Sequence, residues 1–253
     1  MGLSLELKSI SKSFPNREDQ NIVLDQLQLD IAKGEFVCLL GSSGSGKSTL
    51  LRIVAGLEAP DAGSVFLNGD CISKPDAQRV MVFQDFNQLF PWKTVQENII
   101  FPLKVRRKGV SKREWLSIAD RYLAMVKLEG YGAYYPYQLS GGMKQKVAIA
   151  RALALQPEVL LMDEPFGSLD AQTRQQLQQM LLNVWEDTGV TIVFVTHDIQ
   201  EAIIMADRIP ILSKSAHSIK EIITNPLPRP RLPGMPQFAK VWQEVYRLLD
   251  GVE

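Results

Sequence analysis

The octapeptide Gly41-Ser42-Ser43-Gly44-Ser45-Gly46-Lys47-Ser48 constrains this chain more than any other stretch. Its spacing (Gly, four residues, Gly, Lys, Ser) has a physical meaning only between a strand and a helix. Both flanks are present. Phe36-Val37-Cys38-Leu39-Leu40 is an apolar, partly β-branched run that reads as a buried strand. Thr49-Leu50-Leu51-Arg52-Ile53-Val54-Ala55 continues as a helix, with Gly56 as its C-terminal cap. The glycines let the backbone curl so that successive N–H groups face one anion, and the helix dipole adds a positive end to the same cradle. Lys47 is placed to reach the β- and γ-phosphates, and the Ser48 hydroxyl to bind Mg²⁺. The loop reads as a site for a nucleoside triphosphate.

The rest of the chain supplies the setting. Leu3, Leu5 and Leu7 alternate with polar residues, as do Leu27, Leu29 and Ile31, which is the pattern of half-buried strands. Asn68-Gly69 predicts a hairpin between Val65-Phe66-Leu67 and Cys71-Ile72. Val80–Phe83 reads as a further buried strand ending at Gln84. From about Asp85 to Val147 the pattern is helical: Ser111 and Glu114 have the form of a capping box, and Trp115, Ile118, Ala119, Tyr122, Leu123 and Val126 follow on one face. Val159–Met162 and Thr191–Val195 suit central parallel strands, joined by a helix that Asp170 caps and Leu177, Met180, Leu181, Val184 and Trp185 line. Ligands of open α/β sheets sit beyond the carboxyl ends of the strands. Gln84, Asp163, Glu164 and His197 fall at such ends. The tail changes character, with Pro226, Pro228, Pro230, Pro233 and Pro236 preceding a short amphipathic helix expected to pack on the body.

Composition excludes several classes. Lys plus Arg and Asp plus Glu are 28 each, which argues against a dedicated nucleic-acid partner. Cys38 and Cys71 lack metal-ligand spacing and read as reduced core thiols of a cytosolic protein. The sequence from Met1 to Ile10 shows no secretory leader, and no run reaches the ~18 apolar residues that span a bilayer.

Two further motifs carry chemistry. Met162-Asp163-Glu164 ends a buried strand in two carboxylates; Asp163 can hold Mg²⁺, leaving Glu164 to orient or deprotonate an attacking water. In Leu139-Ser140-Gly141-Gly142, Ser140 is an N-cap and the two glycines open a helix, which makes a second anion site or a plain helix cap. A chain that binds one nucleotide does not need two such sites, so this one is expected to face the nucleotide of a second copy.

In these motifs, in their order and spacing, the sequence resembles the ATP-binding subunits of ABC transporters over nearly its whole length. The resemblance implies an α/β P-loop NTPase fold, a RecA-like mixed sheet with an N-terminal antiparallel β part and an inserted α-helical subdomain. The implied segments are an ATP-binding core at 1–84 and 148–213, a helical subdomain at 85–147 carrying the signature, and a Pro-rich connection with a C-terminal helix at 214–253. The implied nucleotide contacts are Phe14 as the aromatic that stacks on adenine, Gly41–Ser48 with Thr49, and Ser140, Gly141 and Gly142 of the signature. Asp170, in Gly167-Ser168-Leu169-Asp170, belongs to a dimer-contacting loop. Ser48, Gln84 and Asp163 are the implied Mg²⁺ ligands. The implied catalytic residues are Glu164 and His197, which act on the attacking water and the γ-phosphate, and Gln84, which senses nucleotide and Mg²⁺ and links to the membrane subunit. Two copies would sandwich two ATP molecules. Permease subunits would bind the Gln84–Phe101 region at the cytoplasmic face of the membrane, with an extracytoplasmic solute-binding protein in the same system.

Leu89-Phe90-Pro91-Trp92-Lys93-Thr94-Val95, the Met143 signature variant and Pro226–Arg231 resemble the nitrate, sulfonate and taurine importer group, whose solutes are small and anion-like. A soluble ABC ATPase acting on a protein assembly or nucleic acid, and an exporter ATPase, are the competing readings. The sequence departs from the group at Ser215-Ala216-His217-Ser218, where a Pro-Gly turn is expected.

Overall fold

The computed structural model describes residues 2–15, 20–106 and 111–250; Met1 and 251–253, the outermost positions of the expected first and last segments, lie outside them. Four strands, β1 (Leu3–Pro15), β2 (Gln20–Ala32), β4 (Ala62–Leu67) and β5 (Asp70–Cys71), form an antiparallel sheet in the order β2-β1-β4-β5. The second sheet has six strands. Between β10 (Ser218–Thr224) and β9 (Arg208–Ser213) at one edge and β6 (Arg79–Val82) at the other run β3 (Phe36–Gly41), β8 (Thr191–Thr196) and β7 (Val159–Asp163), in the order β10-β9-β3-β8-β7-β6. Every pairing in it is parallel except β9 with β10.

The apolar runs read as central strands are buried on both faces, and the pleat divides their side chains between two cores. Phe36, Cys38, Leu40, Leu160, Met162, Ile192 and Phe194 face one core; Val37, Leu39, Leu161, Val193 and Val195 face the other. The first core lies under helices α2 (Val95–Arg106), α3 (Lys112–Met125), α4 (Gly141–Ala154), α5 (Ala171–Thr188), α6 (Ile199–Met205) and α7 (Pro236–Asp250). The second is closed by α1 (Lys47–Val54) and the antiparallel sheet.

The long β1–β2 pairing shifts register at four points, and the two central shifts hide it from a period-two reading. Between Leu7↔Leu29 and Ile10↔Leu27 the extra residue is on β1, and between Ile10↔Leu27 and Lys12↔Leu24 it is on β2. The residues with positive φ at these points are Ser9 (φ 51°) and Gln26 (φ 46°). Past each bulge the buried face changes phase, so the strands run further than Leu7 and start before Leu27. The predicted Asn68-Gly69 hairpin is present, with Leu67 paired to Asp70 and both turn residues at positive φ.

Three expectations need correction. The core sheet does not stop at 213: the segment begun at 214 first turns and then adds β10 as an edge strand, because Ile219, Ile222 and Ile223 supply β-branched cover beside β9. α4 runs through position 147 without a break, so that boundary falls inside a helix. Cys38 is a core thiol whose pKa burial pushes well up, but Cys71 is exposed, because β5 is a two-residue edge. The tail helix does pack on the body, through Phe238, Val241 and Val245. In place of a Pro-Gly turn, His217 takes the left-handed position (φ 51°), and its carbonyl accepts from the Asp25 N–H at 2.7 Å. Among the described residues no helix is long and apolar enough to cross a membrane.

Gly63 (φ 85°) lies opposite the Ser9 bulge, where a Cβ would come within 2.3 Å of the Ser9 carbonyl oxygen and 2.4 Å of that of Lys8. Gly63→Ala is therefore expected to cost about 3 kcal/mol or more. Urea unfolding measures it; a loss below about 1 kcal/mol would mean the two strands separate easily at this point.

Candidate active site

Register brings the candidate residues together. β3 pairs with β8 at Leu40↔Thr196, β8 with β7 at Val195↔Asp163, and β7 with β6 at Met162↔Val82. The carboxyl ends of four strands therefore finish in one row. Gly41 closes β3, His197 and Glu164 directly follow β8 and β7, and Gln84 lies two residues past the end of β6.

The phosphate loop is shaped by what packs beneath it. Gly46 (φ 91°) is the N-cap position of α1, and a Cβ there would meet Leu24 Cδ2 at 2.8 Å and the Val23 carbonyl at 3.0 Å. The loop thus rests directly on β2. At Gly41 a Cβ would meet Ser45 Oγ at 2.6 Å and the Leu212 carbonyl of β9 at 2.7 Å. Ser42, Ser43 and Gly44 are exposed along the rim, and Thr49 sits half-buried in the first turn of α1. Lys47 is folded into the loop, with its ammonium donating to the carbonyls of Gly41 (2.8 Å) and Ser42 (2.9 Å). Burial holds the Lys47 pKa below the ordinary lysine value.

Ser48 Oγ donates to Asp163 Oδ1 at 2.9 Å, across the gap between α1 and β7. Burial raises the Asp163 pKa, and the Ser48 hydrogen bond offsets only part of this. A hydroxyl beside a desolvated carboxylate is an oxygen donor pair that fits Mg²⁺, which keeps waters and phosphate oxygens for its remaining positions. Ser45 Oγ, buried in the same cradle without a hydrogen-bond partner, fits a loop built for a ligand that completes its bonding.

Glu164 (φ 42°) turns its carboxylate toward His197, whose Nδ1 lies 2.9 Å from Glu164 Oε2. Gly167 lies beside both Gln84 and Glu164: a Cβ there would be in ordinary van der Waals contact with Gln84 Nε2 (3.5 Å) and Glu164 Oε2 (3.7 Å). Gln84 is exposed and enters this cluster from the β6 side. Phe14, 38 % exposed, lies near the free end of the β1–β2 hairpin, where Phe14 pairs with Asn21. The Lys12 ammonium stands 5.3 Å from its ring and is held by Glu58, Asp61 and the Ala59 carbonyl.

The signature residues stand apart from this cluster. Ser140 caps α4, accepting from the Met143 N–H at 3.3 Å. A Cβ at Gly142 would meet Thr173 Cγ2 at 2.6 Å, so the start of α4 is seated on the first turn of α5. Asp170 caps that helix, accepting from the Thr173 N–H at 2.9 Å, and its bonds to Thr173 lower its pKa.

Residues 24–167 match the ABC transporter family description. The chain belongs to the ABC transporter family. It is an ATP-binding ATPase of that family, with the P-loop α/β fold its motifs imply. The nitrate import ATP-binding protein of Synechocystis is 41% identical over 260 residues, covering 99% of this chain and 97% of the relative. The aliphatic sulfonates import ATP-binding protein of Bacillus cereus is 43% identical over 250 residues, covering 98% and 96%. Among solved structures, a dimeric post-hydrolysis ATP-binding cassette bound to ADP and Pi superposes with TM-score 0.76 at 35% identity, over 87% of this chain and 98% of that one.

Several supporting residues of this ABC ATPase were not singled out in the sequence. Gln145 of α4 is fully buried and donates to the Phe83 carbonyl at 3.5 Å, tying the signature helix to the strand before Gln84. Gln88 donates to the carbonyls of Phe83 (2.9 Å) and Asp85 (3.0 Å), and Arg151 to that of Gln88 (2.9 Å). Asn98 is fully buried, receives the Phe90 N–H at 2.8 Å and donates to the carbonyls of Phe90, Lys93 and Thr94. The available signal is weak: one polar residue at an otherwise apolar helical position.

The raised Asp163 pKa predicts a pH effect. A carboxyl with a raised folded pKa binds its proton more tightly in the native chain. Its contribution to nucleotide-free stability therefore falls as pH rises from the ordinary carboxylate pKa to the raised one. Asp163→Asn keeps an oxygen for Ser48 and removes the charge. Its nucleotide-free melting temperature at neutral pH is expected to equal or exceed that of the parent chain, with the added stability from Mg-ATP reduced. Thermal melts with and without Mg-ATP check both; a lower nucleotide-free melting temperature would count against an uncompensated carboxylate.

Proposed function

We propose that this chain is the ATP-hydrolysing subunit of an importer for a small anion-like solute such as nitrate, a sulfonate or taurine. The observation that carries the catalytic part is the pairing of Glu164 with His197 at 2.9 Å beside the Ser48–Asp163 pair at 2.9 Å. The importer part is supported by the nitrate and sulfonate import relatives, which the chain matches over nearly its whole length.

In this reading, ATP enters with its adenine on Phe14 and its phosphates over the backbone N–H groups from Ser42 to Thr49. Lys47 exchanges the carbonyls of Gly41 and Ser42 for phosphate oxygens. Ser48, Asp163 and Gln84 hold Mg²⁺, which supplies charge neutralisation at the phosphates when bound. Glu164 accepts the proton of the attacking water and aligns it. His197 contacts the γ-phosphate and holds the Glu164 carboxylate in place.

Ser140, Gly141 and Gly142 complete the site of a second copy. The dimeric form of the solved cassette supports a homodimer, as does the position of Ser140 at a separate helix start. Asp170 and the rest of the Gly167–Asp170 loop lie in the contact between copies.

Permease subunits dock at the Gln84–Phe101 region, at the cytoplasmic face of the membrane, and an extracytoplasmic solute-binding protein delivers the solute. Trp92 there is 69 % exposed, its ring tilted at 46° to that of Phe90 with centroids 5.6 Å apart, beside a groove of about 330 Å³ lined by Phe90, Phe101, Pro102 and Arg151. An exposed aromatic at the mouth of an apolar groove is what a protein partner covers. α2, α3 and α4 form the helical unit that carries the signature in this reading. Nucleic acid is not a partner in this reading.

Two substitutions test the core of it. Glu164→Gln is expected to keep ATP affinity, slow hydrolysis by about 100-fold or more, and shift from monomer to dimer on size exclusion when Mg-ATP is added. Unchanged turnover would remove Glu164 from the catalytic role, and no shift with ATP bound would remove the two-copy site in the isolated chain. Lys47→Ala is expected to weaken ATP binding by roughly 10–100-fold, the loss of a charge-assisted contact. Equilibrium titration with a fluorescent ATP analogue reads this directly, and retained affinity would mean the loop holds something else.

A further inference from the structure

One side chain joins the loop expected between copies to the loop that carries His197. Arg174, in the first turn of α5, donates from Nη2 to the Leu169 carbonyl at 3.1 Å and from Nη1 to Asp198 Oδ2 at 3.3 Å. Leu169 belongs to the Gly167–Asp170 loop, and Asp198 directly follows His197. The other Asp198 oxygen accepts from the Glu201 N–H at 3.1 Å as the cap of α6, and the Asp198 N–H donates to Thr196 Oγ1 at 3.0 Å. One turn along the same face of α5, Gln178 donates to the buried Glu201 carboxylate at 3.0 Å, and Thr196 donates to its other oxygen. α5 therefore holds the segment from Thr196 to Glu201 at two points, Asp198 and Glu201, and His197 directly precedes the first of them.

Stability does not account for this arrangement. The Arg174–Asp198 pair is about a third exposed on both sides, and such ion pairs contribute little to folding. The bridging geometry does more. A planar guanidinium fixes the distance between two loops, which a flexible ammonium does not.

We propose that Arg174 is a positioning residue for hydrolysis: it sets the backbone on which His197 meets Glu164, and ties that setting to the seat of the Gly167–Asp170 loop. When the loop shifts on contact with a second copy, the guanidinium carries the shift to Asp198 and so to the His197 ring. The inference rests on the catalytic reading of Glu164 and His197 given above.

The test uses the full chain with Arg174→Gln, Asp198→Asn and the double variant; Asn at 198 retains an oxygen to cap α6. Turnover and KM for ATP, affinity for a fluorescent ATP analogue and melting temperature are measured on each. Arg174→Gln is expected to lower kcat by about tenfold, with affinity and melting temperature held, and the double variant to be no slower than the slower single. Multiplying losses in the double variant would show that Arg174 does not act through Asp198. A kcat equal to the parent's, or a loss matched by weaker ATP binding or a lower melting temperature, would also overturn the proposal. An unsubstituted chain that hydrolyses no ATP would instead overturn the catalytic reading, so the two failures are distinct.

Discussion

The site depends on the in-register parallel pairing of β3, β8, β7 and β6. Parallel pairing makes neighbouring strands end on the same side, and the observed register makes them end level. A one-residue slip of β7 would move Asp163 away from Ser48 and send its alternate side chains into the wrong core. That slip is opposed by both cores at once, because each central strand buries one set of side chains above the sheet and the other below. The geometry of the candidate site is a by-product of strand registration.

The same dependence explains how much could be read from the chain. Gly41–Ser48, Asp163, Glu164 and His197 were legible because each sits at the end of an apolar run, and runs of that kind mark themselves. β10 and the full lengths of β1 and β2 were harder to see. Ser9 and Gln26 interrupt the alternation, and Ser218–Thr224 mixes Lys220 and Glu221 into an edge strand that needs burial on only part of its length. Gln145 and Arg174 were not legible at all. Their partners are 62 residues away for Gln145, and 24 and 5 residues away for Arg174, and nothing at either end announces the pairing. Supporting groups become visible only when the fold has closed.

Both halves of the proposed shared-site arrangement converge on one short helix turn. Gly142 seats the signature helix against Thr173, and Arg174 beside it grips the Leu169 carbonyl and Asp198. The part of the chain proposed to face a second copy and the part proposed to position the attacking water are therefore braced by adjacent residues. Energetic coupling between two sites needs a physical element that both can bias. The first turn of α5 is placed to be that element.

Lys47 has a consequence for the chain without nucleotide. Its ammonium is satisfied by the carbonyls of Gly41 and Ser42, which closes the loop on itself. A cationic cradle left open would attract any stray anion or collapse against a neighbour. This one carries its own internal plug, so the empty loop keeps its shape, and a ligand must outbid two neutral oxygens to enter. In the proposed reading a polyphosphate, the more highly charged acceptor, takes the ammonium from them, so one lysine both closes the loop and opens it to its ligand.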